Sequence, residues 1–348
     1  MEWKIVEMNK LKRIITIFIL SLLLLTSCSL DKGDKLPKKV KIGTIRVPND
    51  KTVAYELGFF KSFFQDRGIE AELIFFDSGT AANVAFASGD LDFAEMGYTN
   101  AVVALNRGID VELIWIHEVL GSNEALLVKK DRGIETISDL KSKTIATPFS
   151  STSHYSLMKA LELEAMTARD IKLLDMDTED ILAAWERGDI DAAYTWEPTL
   201  SHLKKDAKVL IDSQMLAEKG ITTVNIELVN KAFSKKYPDL VSDYISALDK
   251  AINLYKTQES KAIDAAASNL ELDKEIVKKQ MESTIWLSAK EQAGQKYLGK
   301  NNNPGDFRET FMQTAEFLLA EKKIDRLPTY KDIDDFINTD YIEKVMDR

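Results

Sequence analysis

The chain has 348 residues, a length that at about 100–200 residues per domain favours two compact bodies over one. Hydrophobic residues make up 45% and charged residues 29%, with 7 Pro and 15 Gly, which excludes a disordered, collagen-like or multi-pass membrane protein. Lys+Arg of 46 against Asp+Glu of 56 gives a net charge of −10 and argues against a nucleic-acid binder, while one cysteine and the scattered His117, His154 and His202 give no metal-ligand spacing, so neither metal nor cofactor is expected.

In chain order, Lys10, Lys12 and Arg13 precede an apolar run from Ile14 to Leu25, too short for an ordinary spanning helix and suited to a secretory signal. The run ends in Leu25-Thr26-Ser27-Cys28, which resembles the lipobox of bacterial lipoproteins, whose cysteine thiol accepts diacylglycerol before cleavage. Residues 1–27 are therefore expected to be a lipoprotein signal peptide, with Met8 a better signal start than Met1. Cys28 is the expected lipidation site, and acyl chains would hold the protein at a membrane surface. Residues 28–39, charged and without apolar periodicity, read as a flexible tether.

Beyond the tether, short apolar runs alternate with helical patterns. Val40–Ile45 predicts a strand, Val53–Arg67 a helix and Glu72–Phe76 the next strand, an alternation that points to an α/β fold with a parallel-rich sheet. The chain then echoes itself. Gly89-Asp90-Leu91-Asp92 matches Gly188-Asp189-Ile190-Asp191 at an offset of 99 residues. Asp77-Ser78 and Asp177-Thr178 stand where each preceding helix needs a cap, and each glycine stands where that helix ends. After each copy an apolar strand leads into Tyr98-Thr99-Asn100 or Trp196-Glu197-Pro198. Two related α/β lobes follow, with ligand expected beyond the carboxyl ends of the strands. From about Asn230 the pattern becomes helical. Leu240, Tyr244, Leu248, Ile252 and Tyr255, then Phe307, Phe311, Ala315 and Leu318, read as core-facing stripes, and Lys331–Arg348 as a solvated helix with a partner strand.

Nucleophile elbow, Walker loop, dinucleotide fingerprint and zinc-protease helix are all absent from the sequence. In their place stands Thr147-Pro148-Phe149-Ser150-Ser151-Thr152-Ser153-His154-Tyr155, between a strand and a helix. One hydroxyl suffices for a helix cap, and here four are consecutive. Beside unpaired N–H groups at the positive end of a helix dipole they form a candidate anion site without a basic side chain.

Three segments carry a family resemblance: Gly121-Ser122-Asn123-Glu124-Ala125-Leu126-Leu127-Val128-Lys129-Lys130, the Pro148–Leu157 stretch with Thr152-Ser153-His154-Tyr155-Ser156-Leu157, and Ala183–Tyr194 with Gly188-Asp189-Ile190-Asp191. The chain resembles taurine-binding proteins of ABC importers, within the nitrate/sulfonate/taurine substrate-binding family, over roughly Val40 to Val229. The resemblance implies a two-lobed periplasmic-binding-protein-like (type II) fold with a ligand cleft between the lobes. Lobe one would comprise 40–125 and 224–348, and lobe two 126–223, with crossovers near Glu124–Leu127 and Thr222–Asn225. The function implied is that of a lipid-anchored extracytoplasmic receptor, monomeric and not an enzyme, which hands a small sulfonate to an ABC permease and its ATPase.

Carried over residue by residue, the resemblance implies that Ser151, Thr152 and Ser153 meet the sulfonate, with Thr99 and Asn100 at the matching strand end of lobe one. Ser78-Gly79-Thr80 would add helix-start N–H groups, and Trp196 would cover the ligand's short carbon chain. Two positions depart from the taurine pattern. Asn225 replaces an aspartate suited to the amine, and Glu197 replaces a small residue, so the positive end of the ligand falls to Glu124 or Glu197. Arg46 is a further candidate for pairing with an anion. The alternative ligands are nitrate or a thiamine-precursor pyrimidine held between Tyr98 and Trp196, and a third reading is an enzyme on the same scaffold.

Overall fold

Two five-stranded sheets carry the fold, beside a short two-stranded one at Gly299–Lys300 and Asn303–Pro304 among the described residues: β1 (Lys39–Thr44), β2 (Glu70–Phe75), β3 (Phe93–Gly97), β4 (Val111–Val119), β5 (Glu124–Lys129), β6 (Thr144–Thr147), β7 (Lys172–Asp175), β8 (Ala192–Trp196), β9 (Ala207–Asp212) and β10 (Val224–Asn230). They come from a computed structural model that describes residues 36–347; the expected signal peptide and residues 28–35 of the tether, Cys28 among them, lie outside the described residues, and Lys39, expected in the tether, instead opens β1 by pairing with Glu70. Lys38–Arg348 form one compact unit.

The first sheet has the order β2-β1-β3-β10-β4 and the second β7-β6-β8-β5-β9. In each, the second strand, β1 or β6, pairs in parallel with both neighbours, and the fourth, β10 or β5, is antiparallel to both of its own. Each of these antiparallel strands has just crossed from the other sheet. The first crossing occupies residues 120–123, so Glu124 and Ala125 already belong to the second sheet, paired with Trp196 and Thr195. The return crossing ends where β10 begins at Val224.

The sequence echo is a structural repeat. Gly89 and Gly188 both take φ 78°, the left-handed conformation that costs glycine least. Each helix then closes alike, with Asp90 N donating to Ala85 O at 2.9 Å and Asp189 N to Ala184 O at 3.0 Å. The expected Val53–Arg67 helix is broken instead into Asp50–Glu56 and Phe59–Phe64, because Gly58 at φ 69° reverses the backbone between them.

Apolar stripes behave as their spacing predicts. Leu240, Tyr244, Leu248 and Ile252 on the helix Pro238–Thr257, and Phe307, Phe311, Ala315 and Leu318 on Phe307–Ala320, are buried against the first sheet's core. The end of the chain differs from expectation: in place of a partner strand stand the helices Tyr330–Phe336 and Asp340–Met346, with Ile337 making a single bridge to Leu113. Ile333, Phe336 and Ile342 are buried there, because both helices turn an apolar face inward. The second sheet buries its own side chains on both faces, Leu126, Val128 and Tyr194 on one and Leu127, Ala146 and Ala193 on the other.

Candidate functional site

A cavity of about 650 Å³ lies where the carboxyl ends of the two sheets meet the crossovers. Four helices begin at its wall: Gly79–Ala87, Tyr98–Asn106, Thr152–Leu163 and Thr178–Arg187. Ser78–Ala81, Gly97, Asn100, residues 150–152, Asp177 and Asp180 all line it. In the first helix the Ser78 hydroxyl caps Ala81 N at 3.3 Å, and in the third the Ser151 hydroxyl caps His154 N at 3.1 Å. The N–H groups of Gly79, Thr80, Thr152 and Ser153 precede any carbonyl their own helix could offer them. Four positive dipole ends at one cavity favour negative charge there, while Asp77, Asp175, Asp177 and Asp180 line the same wall. The backbone is drawn tight around it. A Cβ on Gly79 would stand 2.4 Å from Asn100 Oδ1, one on Gly97 would stand 3.0 Å from Thr152 Cγ2, and Ser150 holds φ 62°.

Hydroxyl groups of the serine-threonine run are engaged within the protein. Thr152 Oγ1 and Ser153 Oγ donate to Glu124 Oε1 at 2.5 and 2.8 Å, and Ser151 Oγ donates to the carbonyl of Pro148 at 2.5 Å. Glu124, fully buried and at the cavity wall, also takes Ser213 Oγ at 2.6 Å and Thr223 Oγ1 at 3.5 Å on its other oxygen. Burial raises its pKa, and the four hydroxyls offset part of that rise. A carboxylate has about four lone-pair sites, and these are all taken. The hydroxyl protons of residues 151–153 are thus spent within the protein, and the helix start is tied to Glu124.

The return crossing brings Asn225 to the same wall, where its Nδ2 donates to Glu118 Oε1 at 2.6 Å. Behind this pair lies a cluster of charges with no exposed surface. Lys51 Nζ lies 2.7 Å from Glu227 Oε2 and 3.6 Å from Glu95 Oε2, and donates to the carbonyl of Gly43 at 2.8 Å. His117 bridges Asp50 Oδ1 at 2.6 Å and Glu227 Oε2 at 2.7 Å, while Trp115 Nε1 donates to Asp50 and Tyr244 OH to Glu227. Burial opposes the charged form of His117, but Asp50 and Glu95 outweigh it and hold its pKa well above the ordinary histidine value, so both ring nitrogens donate. The sequence reading missed this cluster. Its signal is a charged residue inside an otherwise apolar strand: Glu95 in β3, His117 and Glu118 in β4, Glu227 in β10.

Of the remaining expected residues, Trp196 and Asn100 line the cavity, and Ser153, Thr99, Tyr98, Glu197 and Arg46 do not. Tyr98 sits in the core, its OH accepting from Thr314 Oγ1 at 2.7 Å. Thr99 is fully buried and its hydroxyl has no hydrogen-bond partner. Glu197 turns from the cavity because it accepts from Ser201 N at 3.0 Å and pairs with Lys204 at 3.7 Å. Arg46 is exposed and lies over the Phe75 ring at 4.5 Å. The cations that do reach the wall, Arg107 and Lys323, escaped the sequence reading; Lys323 lies over the Phe149 ring at 4.4 Å. Burial, with the charge of Lys323, pushes the pKa of the neighbouring His154 down to about 4, so the ring is neutral. Among the described residues no His, Cys, Asp and Glu group is arranged to hold a metal ion, and no helix is long and apolar enough to cross a membrane.

Comparison with known proteins gives the same architecture. The periplasmic aliphatic sulphonate binding protein SsuA of Escherichia coli superposes with a TM-score of 0.70 at 19% identity, over 87% of this chain and 92% of that one, which shows a shared periplasmic-binding-protein fold. In sequence, the taurine-binding periplasmic protein of Escherichia coli strain K12 is 38% identical over 189 residues, 54% of this chain and 58% of that protein's length. A Bacillus subtilis protein named for binding aliphatic sulfonates is 26% identical over 344 residues, 97% of this chain and 98% of its own. The family model described as NMT1/THI5 like matches residues 52–262, and the chain belongs to that family.

Proposed function

We propose that the protein is the extracytoplasmic binding component of an ABC importer and that its ligand is taurine or a related alkanesulfonate. The observation that carries this reading is the convergence of four helix starts on one cavity, with Gly79, Thr80 and Thr152 at its wall in first-turn positions whose N–H groups find no acceptor in their own helix. The names of the relatives support the sulfonate. At a net charge of −10 the protein does not attract an anion from afar, so recognition is local, through N–H groups and the wall cations Arg107 and Lys323. Trp196 would cover the carbon chain. Closure of the two sheets on the ligand follows from contacts made only when both reach it. Attachment through Cys28 and delivery to a permease belong to the same proposal.

A pyrimidine ligand fits less well, since Tyr98, half of the aromatic sandwich it needs, is in the core. Thermal unfolding of the purified protein with a ligand panel tests the reading. Taurine and other alkanesulfonates should raise the midpoint in a concentration-dependent way. Stabilisation by nitrate or a pyrimidine and by no sulfonate would refute it.

A further inference from the structure

Asn225 and Glu118 form a two-residue device at the cavity wall. Asn225 is 6% exposed and lines the cavity; Glu118, one strand over on β4, is 2% exposed and reaches the ligand space only through the Asn225 amide. With Nδ2 given to Glu118 Oε1, the amide oxygen of Asn225 is the atom left to accept from a ligand. The other carboxyl oxygen, Glu118 Oε2, is buried without a hydrogen-bond partner. A protonated Glu118 permits the reverse arrangement: with the proton on Oε1 its O–H is a donor, the Asn225 amide meets it by turning half a revolution, and the NH₂ then faces the cavity.

We propose that Glu118 sets, through Asn225, the charge of the ligand tail that this site accepts: ionised, it selects a cationic tail, and protonated, a neutral hydrogen-bond acceptor. The proposal rests on the sulfonate reading of the cavity and narrows it to a zwitterion under mildly alkaline conditions.

The surrounding charges leave this role open. The charges acting on Glu118 are Glu95 on β3, Asp50 on the helix Asp50–Glu56 and His117 on β4; Lys51 on the same helix and Glu227 on β10 complete the cluster they belong to. Three carboxylates there share two cations: Lys51 is paired with Glu227 and Glu95, and His117 with Asp50 and Glu227. Among the described residues Glu118 has no ion-pair partner. Glu124 has no lone pair left for an ammonium, so a ligand cation at Asn225 is the counter-charge that Glu118 lacks. Burial, then the charges of Glu95 and Asp50, raise the Glu118 pKa to about 8, although His117 and the Asn225 hydrogen bond work the other way. An ammonium against the Asn225 oxygen favours the ionised carboxyl, and the displaced proton leaves to solvent.

Calorimetric titration with taurine and with ethanesulfonate between about pH 6 and 8, in two buffers of different ionisation enthalpy, tests the proposal. Taurine binding should release protons and tighten relative to ethanesulfonate as pH rises, by up to about tenfold per unit. In Glu118→Gln the taurine-to-ethanesulfonate ratio should lose its pH dependence. Equal pH slopes for the two ligands in the wild-type protein, or taurine binding without proton release, would overturn the role of Glu118 while leaving sulfonate binding intact. Binding of neither sulfonate would overturn the parent reading as well.

Discussion

Asp92 and Asp191, 99 positions apart, perform one task in two sheets. The carboxylate of Asp92 accepts from Lys41 N of β1 at 2.8 Å and that of Asp191 from Thr144 N of β6 at 2.9 Å, each tying that strand to the one that follows the aspartate. Their own N–H groups return the bond, to Lys41 O and Thr144 O. Asp92→Ala and Asp191→Ala should each strand a part-buried strand N–H and cost about 1–3 kcal/mol. The two losses should add, since the residues share no partner. Urea denaturation of both single variants and the double variant checks this.

Gly121 is the tightest point of the first crossing. A Cβ there would stand 1.9 Å from the carbonyl oxygen of Ser283, and that carbonyl accepts from Ser122 N at 3.2 Å. The obstacle is backbone, so it cannot swing aside as a side chain would. Gly121→Ala should destabilise by about 1–3 kcal/mol or more, and denaturation midpoints measure it.

The Glu124 network gives a ranked set. Ser213 donates at 2.6 Å and Thr223 at 3.5 Å, so Ser213→Ala should cost more stability than Thr223→Val. Glu124→Ala leaves the Thr152 and Ser153 hydroxyls without their acceptor and should cost about 1–3 kcal/mol, with weaker sulfonate binding because the helix start loses its anchor. Chemical denaturation and calorimetry report the two effects separately.

Stability of the ligand-free protein should fall on both sides of mild acidity. On the acid side, His154 has its folded pKa lowered to about 4, so the unfolded chain takes up the proton first and stability declines as pH drops from 6.5 towards that value. On the alkaline side, Glu118 has its folded pKa raised from 4.5 to about 8, so the folded protein holds a proton the unfolded chain has lost. Stability contributed by that proton is full below the ordinary carboxyl range and declines as pH rises towards 8. Melting temperature against pH should therefore decline less steeply on the alkaline side in Glu118→Gln than in the wild type.

Much of the fold was legible because its signals are local. The glycine and aspartate repeat, the capping residues and the apolar stripes each act within a few positions, and the repeat alone indicates two related lobes. The helix broken at Gly58 was not legible, since its apolar pattern runs through the break. The site was legible in part. The serine-threonine run marks the helix start correctly, yet the destination of its hydroxyls depends on Glu124, which packing brings to Thr152, Ser153, Ser213 and Thr223. Glu197 and Tyr98 show the reverse: both adjoin cavity residues in sequence, and Lys204 and Thr314 draw them away. The buried cluster joins Asp50, Glu95 and His117 with Glu227, which reaches them only after two crossovers have returned the chain to the first sheet.

The most direct test of the central claim is the backbone amide NMR spectrum during taurine titration. Seating of the sulfonate on the helix starts should shift the amide resonances of Gly79, Thr80 and Thr152 most, with saturation at one ligand per chain. Saturable taurine binding that leaves these three amides unmoved would contradict it.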